Sequence, residues 1–235
     1  NCIFINFGQA VVLLRLDDEE ILFRQVQFHH NVAASLSGGA VFIDSCSNIK
    51  IESCHFEGNE AGRDGGAIAI LSSDFPSKVR VHSSRTQNNT AAETGGGIFV
   101  ARKSSLELKG THMVHDQAYG GGAAVALSSA SANLVQVHVT LAVGPSAVSC
   151  IGSETYVIES SISGSAARGF DGEFCSATFE NITITRNKGG GARSRCCMAK
   201  RVCPLSRITH RSHSECIICA FSLQLYISHL PPPPP

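Results

Sequence analysis

The chain has 235 residues, with 19 Lys plus Arg balancing 19 Asp plus Glu. Apolar residues make up 43% but aromatics only 6%, and Trp is absent, so a core must be built from aliphatic side chains and a few Phe. The 22 glycines and the abundance of Ser, Thr and Asn suit strands and turns better than helices.

The zero net charge hides two opposed segments: residues 1–187 carry 12 basic and 18 acidic side chains, and the remainder carries seven basic and one acidic. A mildly acidic body argues against nucleic-acid binding. No apolar run reaches the ~18 residues of a membrane helix, so no membrane span is expected. The chain opens at Asn1 and enters its pattern at once, which reads as a fragment whose targeting signal lies elsewhere.

In chain order, the first expected strand is Ala10–Leu14, followed by the acidic run Asp17-Asp18-Glu19-Glu20. That run suits either a solvated turn or a cation site. A unit then recurs as Ile21–Phe28–Asn31, Ile49–Phe56–Asn59, Val79–Thr86–Asn89 and Leu106–Met113–Asp116, always with spacings of 7 and 3. Fainter copies follow at Leu134–Leu141–Gly144, Thr155–Ile162–Ser165 and Ala177–Ile184–Asn187. Their middle residues advance by 28, 30, 27, 28, 21 and 22. Each of the first four units is followed by a glycine pair and an apolar strand, at Gly38-Gly39, Gly65-Gly66, Gly96-Gly97 and Gly121-Gly122.

Within the units, Ile49 and Ile51 alternate with Lys50 and Glu52, and Val79 and Val81 with Arg80 and His82. This period of two marks half-buried strands, and helical periodicity is missing. One such unit cannot bury its own apolar face, so the units must stack about 4.8 Å apart with like residue over like. The expected fold is all-β: a single-stranded right-handed parallel β-helix of about seven turns over residues 1–191. Segment 192–235 is expected to be an irregular, Cys-rich basic tail ending in polyproline. Phe56 should lie over Phe28, and Asn31, Asn59, Asn89 and Asp116 should form an inward ladder. The glycine pairs should adopt positive φ or allow tight backbone approach.

Phe28-His-His-Asn31 and Phe56-Glu-Gly-Asn59, followed by Gly-Gly-Ala-Val and Gly-Gly-Ala-Ile, resemble the FxxN and GGA(I/L/V) repeats of polymorphic outer membrane proteins. The resemblance covers residues 20–130 well and 131–192 weakly, and it implies the β-helical passenger of a surface protein. The departures are Thr86-Gln-Asn-Asn89 and Met113-Val-His-Asp116, where Phe or Asn is replaced.

A β-helical lyase or hydrolase would show carboxylates at equivalent positions of neighbouring turns. Asp44 aligns instead with Leu71 and Ala101, and Glu52 with Arg24, His82 and Lys109, so no catalytic residue is assigned. His55 and His112 share a column with Gln27, Arg85 and Thr140, read as exposed and polar, while His30 and His115 flank the ladder. No cofactor or metal is expected from the repeats. Cys197-x5-Cys203 and Cys216-x2-Cys219, with His210 and His213 between, offer zinc donors in principle, but only one CxxC is present and the first pair has the wrong spacing for common zinc modules. Asn88-Asn89-Thr90 and Asn181-Ile182-Thr183 are glycosylation sequons, with Asn88 and Asn181 as acceptors if the protein is secreted by a eukaryote. The expected function is an extracellular or cell-surface scaffold that adheres to glycans or proteins. The alternative is a carbohydrate-active enzyme, a polysaccharide lyase or glycoside hydrolase.

Overall fold

A computed structural model describes residues 2–8, 11–195, 198–201 and 207–208. Among them there is no helix, and the strands pair in parallel, each with its equivalent one turn away. The chain coils through four faces. Face I is a nine-stranded sheet that includes Ile3–Ile5, Gln27–His29, His55–Glu57, Arg85–Gln87 and His112–Val114 and ends at Arg207–Ile208. Face II has four two-residue strands: Val32–Ala33, Glu60–Ala61, Thr90–Ala91 and Gln117–Ala118. Faces III and IV form one 14-stranded sheet because Val11–Arg24 and Val41–Glu52 each run unbroken round the corner between them. Face III continues through Ile68–Leu71, Ile98–Ala101 and Val125–Ser128. Face IV continues through Lys78–His82, Ser105–Lys109, Ser131–Val135 and Glu154–Ile158.

The expectation of an all-β parallel solenoid holds. The seven copies read from the sequence supply the face I strands from Gln27 to Thr185, and one more strand precedes them. In it Phe4 stacks on Phe28 with ring centroids 5.1 Å apart, and Phe28 on Phe56 at 4.8 Å and 4°. This first copy escaped the sequence pattern because Phe7 occupies the place of the ladder Asn. Pairing also runs past residue 191, through Ala192–Arg195, Met198–Arg201 and Arg207–Ile208. The Cys and His residues of the tail from Cys196 onward and the polyproline lie outside the described residues.

The register corrects the fifth copy by two residues. Leu106 pairs with Ala132 and Met113 with Val139, rather than with Leu134 and Leu141, so the ladder position is Ala142 and not Gly144. Matching the bulkier leucines misled the sequence alignment: Leu141 has φ 55° and is 52% exposed at a corner. The true advances are 28, 30, 27, 26, 23 and 22 residues.

The interior Asn ladder is continuous across four turns. The backbone N and Nδ2 of Asn31 donate to Oδ1 of Asn59 (3.1 and 2.9 Å), and those of Asn59 to Oδ1 of Asn89 (3.0 and 2.9 Å). Nδ2 of Asn59 also reaches the Phe28 carbonyl at 3.0 Å, so one amide satisfies buried backbone on both sides. Asp116 takes both donors of Asn89 on Oδ1 (3.0 and 2.9 Å) and the Thr86 hydroxyl on Oδ2 at 2.5 Å. Two of the three departures from the repeat motif, Thr86 and Asp116, therefore bond to each other. Burial pushes the Asp116 carboxyl up to about 7, although the bonds from Thr86 and Asn89 pull it down. After the gap at Ala142 the ladder resumes, with Ser165 N donating to Asn187 Oδ1 at 2.9 Å.

The glycine frame also differs from its spelling. Counting back from the pairs Val41–Ile68–Ile98–Val125 aligns Gly38, Gly65, Gly95 and Gly122, whose φ values are 75°, 69°, 66° and 57°. Their successors Gly39, Gly66 and Gly96 serve close approach instead: a Cβ on Gly66 would lie 2.2 Å from the Gly96 carbonyl oxygen. The third pair is thus Gly95-Gly96 rather than Gly96-Gly97. In the fourth turn Gly122 is followed by Ala123, and Gly121 lies one residue before the corner. Gly97 stands in the column of Ala40, Ala67 and Ala124, where a Cβ would meet Met113 Cε at 2.7 Å and Asp116 Oδ2 at 3.0 Å. It accommodates the same local exchange of Phe for Thr86 and Asn for Asp116. Face II ends at Gln117–Ala118, and the repeats shorten as it ends, which is why the later copies are faint in the sequence.

Candidate functional site

Alternation on face IV buries Val79, Leu106 and Ala132 and turns their neighbours outward. The outward side chains line an open groove of about 390 Å³, with Lys78, Arg80, Glu107, Asn133, Glu154 and Tyr156 on its walls. It crosses four successive strands, roughly 14 Å along the axis. Arg80 donates to Asn48 Oδ1 at 3.0 Å and lies 3.7 Å from Glu107, which also meets His82 at 3.0 Å. Tyr156 is 43% exposed and donates its hydroxyl to Glu154 at 2.6 Å, a bond to a carboxylate that raises the phenol's pKa.

The register shows what each carboxylate faces on the neighbouring turns. Glu107 stands opposite Arg80 and Asn133, and Glu154 opposite Ser131 and Ser176. Asp44 pairs with Leu71. Its burial favours the acid, but bonds from Ser73 N and Oγ (2.7 and 2.6 Å) and from Ser45 outweigh that and lower its pKa. It anchors the loop that follows Leu71. Glu52 lies 2.8 Å from Arg24. The acidic run ends in Glu20, which pairs with Lys50 at 2.6 Å beside a register irregularity between Leu16 and Glu20. Among the described residues, no strand pairing sets one carboxylate opposite another.

On face I the outward column is Gln27, His55, Arg85, His112, His138, Ser161 and Thr183. His138 replaces the expected Thr140, by the same two-residue correction, and its ring lies 5.1 Å from that of His112. The neighbouring column brings His29 and Glu57 beside His55, a juxtaposition hidden in the sequence because it is diagonal between turns. His30, Asn88 and His115 occupy one corner, with φ of 52°, 54° and 59°. Asn88 is exposed there while Asn89 is buried in the ladder, and Asn181 is exposed at the corner between faces IV and I.

No curated protein and no solved structure matches the chain. A family model described as the right handed beta helix region matches residues 1–143. With the parallel coil described above, the match fixes the hand of the solenoid, and the chain belongs to the right-handed β-helix family.

Proposed function

We propose that this chain is a scaffold segment of an extracellular or cell-surface β-helix protein, and that its face IV groove holds a glycan. The observation that carries this reading is the groove's composition: an exposed Tyr156 and hydroxyl and amide groups beside mutually neutralised charges. Sugar hydroxyls match paired polar groups such as Arg80, Glu107 and Asn133, and a ring C–H face suits an exposed aromatic. Glu107 and Glu154 each already have a partner and stand in different columns, which favours binding over hydrolysis. The FxxN and GGA-type motifs favour a surface protein of the polymorphic outer membrane protein kind. In a glycosylating secretory pathway, Asn88 and Asn181 would be acceptors.

Titration of the chain with neutral and acidic oligosaccharides by calorimetry tests the reading. Binding that weakens about tenfold in Tyr156→Ala and in Asn133→Ala, with unchanged thermal unfolding, supports it. Absence of binding across both classes overturns the glycan groove. Calcium-dependent release of unsaturated sugars from pectin or alginate would establish the enzyme instead.

A further inference from the structure

Three side chains on face I, none of them in the groove, converge on one point. His29 Nδ1 lies 3.4 Å from Glu57 Oε2, His55 Nε2 lies 4.0 Å from the same oxygen, and one ligand atom from each residue falls within 4.8 Å of the others. A tetrahedral ion with bonds of ~2.1 Å needs donor atoms roughly 3.4 Å apart, so a small inward movement of His55 completes the set.

Two further observations point to a ligand. His29 Nε2 lies 3.2 Å from Gln27 Oε1. An amide oxygen only accepts, so this contact places a proton on Nε2, and in the neutral ring that leaves Nδ1 free to bind a metal. A partner on the far nitrogen that sets the tautomer is what metal-bound histidines have. His55 Nε2, in turn, is buried and has no hydrogen-bond partner. A buried polar atom left unpaired is costly, and a metal ion would satisfy it. The other nearby cation, Arg85, donates to Gln87 at 2.9 Å.

We propose that His29, His55 and Glu57 form a binding site for a divalent transition metal, Zn²⁺ in the first instance. Two imidazoles and one carboxylate suit zinc and its neighbours and disfavour calcium, which takes oxygen ligands. All three side chains are part-exposed.

The test is calorimetric titration of ZnCl₂ into the chelator-stripped full chain, comparing the wild type with His29→Thr, His55→Ser and Glu57→Gln. Each replacement already occurs in its own column, at Thr140 and Thr185, at Ser161 and at Gln87, so the fold should tolerate it. Other Cys and His side chains of the chain can also take up zinc, so the informative quantity is the equivalent that each variant loses. One equivalent should disappear or weaken at least tenfold in each variant, and Gln27→Ala should weaken it about tenfold. X-ray absorption of the wild-type one-equivalent complex should show nitrogen and oxygen neighbours. Unchanged binding in all three variants, or no zinc binding by the wild type, would each overturn the site.

Discussion

Replacing Asp116 with Asn would restore the ladder residue and should make the protein more stable as pH rises. Asp116 is fully buried, and its carboxyl is pushed from the ordinary 3.8 up to about 7. The folded form therefore keeps its proton where the unfolded chain has lost it. The contribution of this residue is fully present below about pH 4, falls as pH rises toward 7, and is level above. A difference of about 3 pH units corresponds to about 4 kcal/mol. Asn offers Oδ1 to the two donors of Asn89, and its Nδ2 can donate to the Thr86 hydroxyl, so every hydrogen bond survives without the charge. Urea unfolding of Asp116→Asn and wild type between pH 5 and 8.5 should show the variant's advantage growing by about 3 kcal/mol. All other titrating groups are shared and cancel in the difference. An advantage that stays constant with pH, or shrinks as pH rises, would refute the assignment of a raised carboxyl to this position.

Asn59→Ala would leave Asn31 N, the Phe28 carbonyl and Asn89 Oδ1 without this partner, and should cost about 4 kcal/mol in urea unfolding. Phe56→Ala removes a fully buried ring from the aromatic stack and should cost about 3–5 kcal/mol, with the loss read in the same experiment. Gly66→Ala sets a Cβ 2.2 Å from the Gly96 carbonyl oxygen, so its midpoint should fall by the equivalent of about 3 kcal/mol. Thr86→Phe alone should be destabilising, because it removes the Asp116 partner and adds a ring beside a buried carboxyl. Combined with Asp116→Asn it should be less so, and a double-mutant cycle in urea measures the coupling.

The parallel coil was legible because its interior columns repeat in residue type: Phe28 over Phe56 and Asn31 over Asn59 write the stacking distance into the sequence. The register faded where the interior residues became small. Ala132 and Val139 are inconspicuous beside Leu134 and Leu141, and only backbone pairing separates them. The glycine frame slipped because Gly95, Gly96 and Gly97 spell alike while serving a left-handed φ, a close backbone approach and close packing against the Met113 side chain. The acidic columns were readable and argued correctly against stacked carboxylates. The face I triad was not, because His29, His55 and Glu57 meet across a diagonal that depends on side-chain direction as well as register.

One interval holds through seven consecutive turns. From Ile21 to Phe28, Ile49 to Phe56 and onward to Ala177 and Ile184, the step from face IV to face I is seven residues, although whole repeats range from 22 to 30. Within those turns the gains and losses of chain fall at the other corners, as in the long excursion between Leu71 and Lys78. The molecule counts rungs rather than residues. A foreign peptide spliced at Asp74 would hang outside the coil without disturbing a single stacked pair, whereas one extra residue near Ser83 would distort the corner that seven turns build alike.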